Sequence, residues 1–244
     1  MSAGAPILRV AGVSKRFRGL LAVNDVSFAV PEGSICSLIG PNGAGKSSLF
    51  NLVTGYLPLT AGAVWFRDRR IDGQGTTAIS RMGIARAFQI AKPFPELSVR
   101  DNVRIGALFG REGPRDVASV VRDALQLTGL SDHAGQQANS LTVGFLRRLE
   151  LARAVATRPA LLLADEPCAG LNPTETEEIM GILRQIRANG VTVLLVEHDM
   201  RAVMGISETI FVLDAGAKIA EGPPDAIARD PRVVAAYLGA PAEG

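Results

Sequence analysis

The stretch "GPNGAGKS", Gly40 to Ser47, decides how this chain is read. It meets the pattern G-x-x-x-x-G-K-[ST] at every fixed position, with the apolar run "SICSLI" before it and "SLFNLVTGYL" after it. A strand that turns through glycines into a helix offers bare main-chain N–H groups to an anion, and the helix N-terminus adds partial positive charge. Gly40, Asn42, Gly43, Ala44, Gly45 and Ser48 are the expected phosphate-loop contacts. Lys46 brings a full charge to β- and γ-phosphates, and Ser47 a hydroxyl to Mg²⁺. The bland alternative is a glycine-rich turn with no ligand.

Composition bounds what surrounds that loop. The 244 residues are 47% apolar, enough to bury a sizeable core. Lys and Arg number 26 against 24 Asp and Glu, a formal +2, so no overall basic field argues for nucleic acid. No apolar run reaches the ~18 residues that cross a bilayer, and "MSAGAPILRVAGVSKRF" lacks a secretory start, so a cytosolic chain is expected. Cys36 and Cys168 are too few for a disulfide framework or a metal cage. Cys36, in "SICSLIG", reads as a small buried residue.

Working outward, "ILRVAGVSKRF", "AVNDVSFAV" and "PEGSICSLIG" alternate β-branched runs with turns, as strands do. Leu49, Leu52 and Val53 follow at helical spacing, and "PLTAGAVWFRDRRIDG" returns to strand and turn. From about Leu97 to Pro159 the pattern is helical; "DVASVVRDALQLTGL" puts Val117, Val120, Val121, Ala124, Leu125 and Leu127 largely on one face. Strand character resumes at "ALLLADEP" and again at "VTVLLVEHD", with the helix "PTETEEIMGILRQIRANG" between them, which implies a parallel crossover. "TIFVLDAGAKIAEG" reads as two strands about a glycine turn, and "PDAIARDPRVVAAYLG" as a short helical tail.

Phosphate binding alone hydrolyses nothing, because a water must be aimed and developing charge must be held. In "LLLADEP" four apolar residues form a buried strand that ends in Asp165, placed to hold Mg²⁺ through water. Glu166, on the strand's other side by the period of two, would orient or deprotonate the attacking water. His198 ends the next strand run, where a ring N–H can meet a γ-phosphate oxygen. Gln89 closes "ARAFQ" just before the helical stretch, with an amide suited to Mg²⁺ and water.

Taken in order, "GPNGAGKS", the Gln89 segment, "LTVGFLRRLELARA", "LLLADEP" and "VEHD" resemble the ATPase cassette of ABC transporters over nearly the whole chain. Wording such as "LFNLVTG", "GIARAFQ", "DEPCAGLNPTETEE", "VEHDM" and "DPRVVAAYLG" is similar to the ATP-binding subunits of branched-chain (hydrophobic) amino-acid importers. The resemblance implies an α/β P-loop NTPase (RecA-like) cassette with an antiparallel β subdomain and a helical subdomain. It implies one domain over 1–244, with a core of about 1–89 and 158–222, a helical subdomain of about 90–157 and a tail of 223–244.

The same likeness makes Lys46 and Ser47 the phosphate and Mg²⁺ groups, with Gln89 as coupling-loop glutamine and Asp165 on the metal side. Glu166 becomes the catalytic base, His198 the switch histidine, and Phe17 the aromatic that stacks on adenine. It implies a subunit that binds and hydrolyses MgATP peripherally, on the cytoplasmic face of the membrane. Expected partners are permease subunits, a second cassette (a different chain, or an identical one) and, indirectly, an extracytoplasmic solute-binding protein. Importers of amides or urea, and a regulatory ATP-binding module, are the alternatives. An ABC ATPase acting on nucleic acid would need a long coiled coil or a tandem cassette, and neither is present.

In that family the loop at Leu141–Phe145 reads L-S-G-G-Q and caps the nucleotide held by the opposite cassette. Thr142 keeps a hydroxyl and Gly144 an approachable N–H, while Val143 replaces a glycine and Phe145 a glutamine. Phe145 either packs at that interface or turns inward to anchor the helix.

Overall fold

The computed structural model describes residues 6–89, 92–111 and 116–238. Residues 239–244, the end of the expected tail, and residues 90 and 91, where the helical subdomain was expected to begin, lie outside the described residues. In chain order come β1 (Pro6–Phe17), β2 (Leu20–Pro31), β3 (Ile35–Ile39), α1 (Lys46–Val53), β4 (Ala61–Phe66), β5 (Arg69–Arg70), α2 (Thr76–Met82) and β6 (Ile84–Ala87). Next are α3 (Val99–Phe109), α4 (Val117–Leu127), α5 (Val143–Ala156), β7 (Leu161–Asp165), α6 (Pro173–Ala188) and β8 (Thr192–Val196). The last elements are α7 (Met200–Ile206), β9 (Thr209–Asp214), β10 (Ala217–Gly222), α8 (Pro224–Ile227) and α9 (Pro231–Leu238). The chain divides into two compact units, Met1–Thr76 with Leu194–Gly244, and Thr77–Val193.

In the first unit β1 pairs antiparallel with both β2 and β4, in a four-stranded sheet of order β2-β1-β4-β5. Leu8 and Val10 are buried by alternation, Arg9 lies outside with its guanidinium over the Trp65 ring, and an irregularity in the pairing between Val10 and Val13 returns Val13 to the buried face. β3 pairs in parallel with β9, and β9 antiparallel with β10 around the expected glycine turn. Every residue of β3, Ile-Cys-Ser-Leu-Ile, is buried, the continuous apolar pattern of a strand covered on both faces. The helical tail consists of two short helices, α8 and α9. Asp230 accepts the Arg232 N–H at 2.9 Å, and Pro231, which has no N–H to satisfy, restarts the chain as α9.

In the second unit β6 pairs in parallel with β7, Ile84 opposite Leu161 and Ala87 opposite Ala164. The helical stretch resolves into α3, α4 and α5 around Val99, Val103, Val121, Leu125, Leu130 and Leu149, with Val117 and Val120 packed at its edge. Gly106 lets α3 lie against α5, because a Cβ there would sit 2.3 Å from the Arg153 carbonyl oxygen. Side chains cap the starts of α3, α4 and α6. Ser98 accepts the Asp101 N–H, Asp116 that of Ala118, and Asn172 and Glu175 form a capping box with Pro173 in the first turn of α6. Gly190, at φ +87°, ends α6 as its C-cap requires.

Burial pushes the Cys36 thiol up to about 11, partly offset by the Ser34 hydroxyl. At pH 8 only about one part in a thousand is thiolate, the reactive form. Iodoacetamide should therefore leave Cys36 unlabelled in the folded chain and label it in urea, as read by peptide mass mapping.

Candidate functional site

The first unit carries the glycine loop between β3 and α1. Gly40 (φ +152°), Gly43 (φ +83°) and Gly45 (φ +100°) all take conformations that L side chains avoid. Two of them also have no room. A Cβ on Gly40 would lie 2.1 Å from the Leu213 carbonyl oxygen, and one on Gly45 2.5 Å from that of Ala22. The Gly216 N–H donates to the Ala44 carbonyl at 3.2 Å, so β2 and the β9–β10 turn wall the loop. Ala44 is buried, Asn42, Gly43 and Ser47 are exposed, and Ser48 is half-buried.

Lys46 opens α1 and is 5% exposed. Its Nζ donates to the carbonyls of Gly40 at 2.6 Å and Pro41 at 2.9 Å, which holds the ammonium over the loop. Phe17, at the end of β1, is 39% exposed with the Lys15 ammonium 5.1 Å from its ring centre. His198 follows the buried Glu197, whose carboxylate accepts its main-chain N–H at 3.0 Å, and its side chain is exposed.

The second unit brings Gln89, Asp165 and Glu166 together. Asp165 ends β7, buried, with its Oδ2 accepting Arg86 Nη2 at 2.5 Å; the two side chains are only 6% and 8% exposed. Its Oδ1 is buried and accepts no hydrogen bond among the described residues. A buried carboxylate oxygen with no donor is costly, and it suits a hydrated cation. Glu166 sits just past the strand at φ +48°, so the strand's alternation does not aim it as the sequence spacing predicts. It is aimed instead by a turn and by Gln89, whose Nε2 donates to Glu166 Oε2.

Behind Gln89 lies a set of residues that motif spacing does not single out. Arg147 donates to the Gln89 carbonyl and, at 2.9 Å, to that of Ala169. Glu150 accepts the Phe88 N–H at 3.5 Å, and Arg153 donates to the Lys92 carbonyl at 3.1 Å and to Glu150 at 2.9 Å. Burial raises the Glu150 carboxyl above the usual Glu range, against the pull of Arg153. The available signal was charge at three-residue spacing on an otherwise largely apolar helix. Arg86 is likewise the one charged residue of the strand "IARA".

Thr142 caps α5, its hydroxyl accepting the Phe145 N–H at 3.5 Å, and it is exposed together with Val143. Gly144 is buried, and a Cβ there would meet Glu175 Oε1 at 2.8 Å. Phe145 turns inward: its ring packs on the helical cluster, 4.1 Å from the ring of His133 and under Arg148. On the helices, a groove of about 580 Å³ is lined by Val117, Val121 and Leu125 and by Arg100, Arg104 and Arg122. Among the described residues no helix is long and apolar enough to cross a membrane, and no His, Cys, Asp and Glu cluster forms a metal cage.

Comparison with known proteins adds lineage to this geometry. A family profile described as ABC transporter matches residues 23–169, and one described as branched-chain amino acid ATP-binding cassette transporter matches residues 217–243. The high-affinity branched-chain amino acid transport ATP-binding protein LivG of Salmonella typhimurium is 42% identical, over 96% of this chain and 98% of that protein. The ADP conformation of MJ1267, an ATP-binding cassette of an ABC transporter, superposes with TM-score 0.87 at 31% identity, covering 96% of this chain and 99% of that one. The dimeric structure of MJ0796, a bacterial ABC transporter cassette, does so with TM-score 0.80 at 26% identity, over 89% and 98%.

The glycine loop makes its own prediction. Gly40→Ala combines a forbidden φ with main-chain overlap and should cost about 3 kcal/mol or more, whereas Gly43→Ala, strained but in open space, should cost about 1 kcal/mol. Urea unfolding midpoints of the two variants measure the difference.

Proposed function

The chain belongs to the ABC transporter family as an ATP-binding and ATP-hydrolysing cassette, and on that premise we propose that it powers import of branched-chain amino acids. The observation that carries this reading is the joint occurrence of the complete glycine loop and the Gln89–Glu166 pair in a chain 42% identical to LivG. The match of residues 217–243 to the branched-chain cassette profile supports the same solute class.

In this reading the chain acts as one cassette, with its catalytic core at about 1–89 and 158–222, a helical subdomain at about 90–157 and a tail from 223. The main-chain N–H groups of Gly43 to Ser48 cradle the phosphates, with Lys46 on the β- and γ-oxygens and Phe17 stacked on adenine. Ser47, Gln89 and Asp165 are the groups that would hold Mg²⁺, and the donor-free Oδ1 of Asp165 suits that role. The metal, when bound, neutralises charge on the transferring phosphoryl group. Glu166 accepts the proton of the attacking water, and His198 donates a ring N–H to a γ-phosphate oxygen.

Thr142 and Gly144 close on nucleotide held by a second cassette, which we take to be a different chain, through the N-terminal end of α5. A groove near Gln89 and the helical subdomain meets the permease, which would hold the subunit peripherally on the inner membrane. Solute choice then belongs to the permease and an extracytoplasmic binding protein.

Two measurements test these roles. Glu166→Gln should retain nucleotide binding while slowing hydrolysis by about 10²- to 10⁴-fold; unchanged turnover removes Glu166 as base. In liposomes containing the co-purified permeases, leucine-loaded binding protein should stimulate ATP turnover and drive leucine uptake. Stimulation by an amide or urea instead would overturn the amino-acid assignment.

A further inference from the structure

The grip of α5 on the main chain around Gln89 goes beyond the roles above. Arg147, Glu150 and Arg153 recur at three-residue spacing, so they share one face of α5. Each holds a main-chain group on one short segment: the Gln89 carbonyl, the Phe88 N–H and the Lys92 carbonyl. Arg147 also reaches a second segment, through its other terminal nitrogen to the Ala169 carbonyl, three residues past Glu166. A guanidinium is a planar fork of fixed donors, so it sets the separation of two carbonyls; an ammonium is a point charge that does not.

Those two segments carry Gln89 and Glu166, and the Gln89 amide donates to the Glu166 carboxylate. The fork therefore fixes the geometry of the donor and the base from outside both. Arg147 also lies only about one and a half helical turns after Thr142, the cap residue at the exposed start of α5. A helix is stiff over that distance, so the main chain of Arg147 and the start of α5 belong to one rigid element.

We propose that Arg147 is a positioning residue for ATP hydrolysis, seating Gln89 against Glu166 from the second turn of α5. Glu150 and Arg153 brace the same segment on either side. The proposal rests on the reading of Gln89 and Glu166 given above, and the experiment separates the two.

The test is a double-mutant cycle on the full chain in its permease complex, with steady-state ATP turnover as readout. Arg147→Met should lower kcat about tenfold and change KM for ATP less than about twofold, a loss confined to the transition state. Arg147→Lys, which keeps the charge and can satisfy one carbonyl, should fold as the parent chain does and lose about threefold. In a Gln89→Ala background the Arg147→Met loss should shrink to less than about twofold, since the effect runs through Gln89. A tenfold loss in both backgrounds, or full turnover in Arg147→Lys, overturns the proposal and leaves the Gln89 role standing. Full turnover of Gln89→Ala alone refutes the Gln89 role and, with it, this proposal.

Discussion

Bare main chain is the constraint from which the nucleotide site follows. Neighbouring strands press on the loop after β3 at Gly40 and Gly45, where only a residue without a Cβ fits. At Gly40 and Gly45 the obstruction is the carbonyl oxygen of another strand, which has no rotamer by which to yield. Strand packing and loop chemistry are thus one requirement. The β2 strand and the β9–β10 turn that exclude a side chain at the loop also hold its curvature, and Lys46 ties the curve from within by bonding two of its carbonyls.

The second unit solves a different problem, that of keeping carboxylates ready beside one another. Asp165 is paired on one oxygen with a buried arginine, and among the described residues its other oxygen meets no donor. A buried pair of this kind adds little net stability, because desolvating both ions offsets their attraction, but losing either partner would strand a charge. The arrangement therefore orients a group rather than gluing the fold. Glu166 is treated differently: it is half-buried, placed by a positive-φ turn, and held by an amide that carries no charge.

At the start of α5 the departures from the family loop acquire a physical sense. Phe145, which stands where a polar side chain is usual, belongs to the helical core and leaves the exposed surface to Thr142 and Val143. In the proposed pairing with a second cassette, what remains for contact is a hydroxyl, main-chain N–H groups and the helix end. That is the part of the loop whose chemistry depends least on side-chain identity.

Much of this was written in local pattern. Glycine at fixed offsets, an apolar strand closing on two acids, and capping residues before apolar runs each report constraints within a few residues of themselves. The strands about the glycine loop, the helical character of the stretch after Leu97 and the glycine end of α6 were legible for that reason. What the chain alone left open depended on partners remote in sequence. The inward turn of Phe145 is settled by His133 and the α3–α5 cluster, and the direction of Glu166 by a turn and Gln89 rather than by strand alternation. The pairing of Arg86 with Asp165 and of Arg147 with two carbonyls likewise spans dozens of residues. Hydrogen-bond partners at such separations are selected by packing, and periodicity carries no record of them.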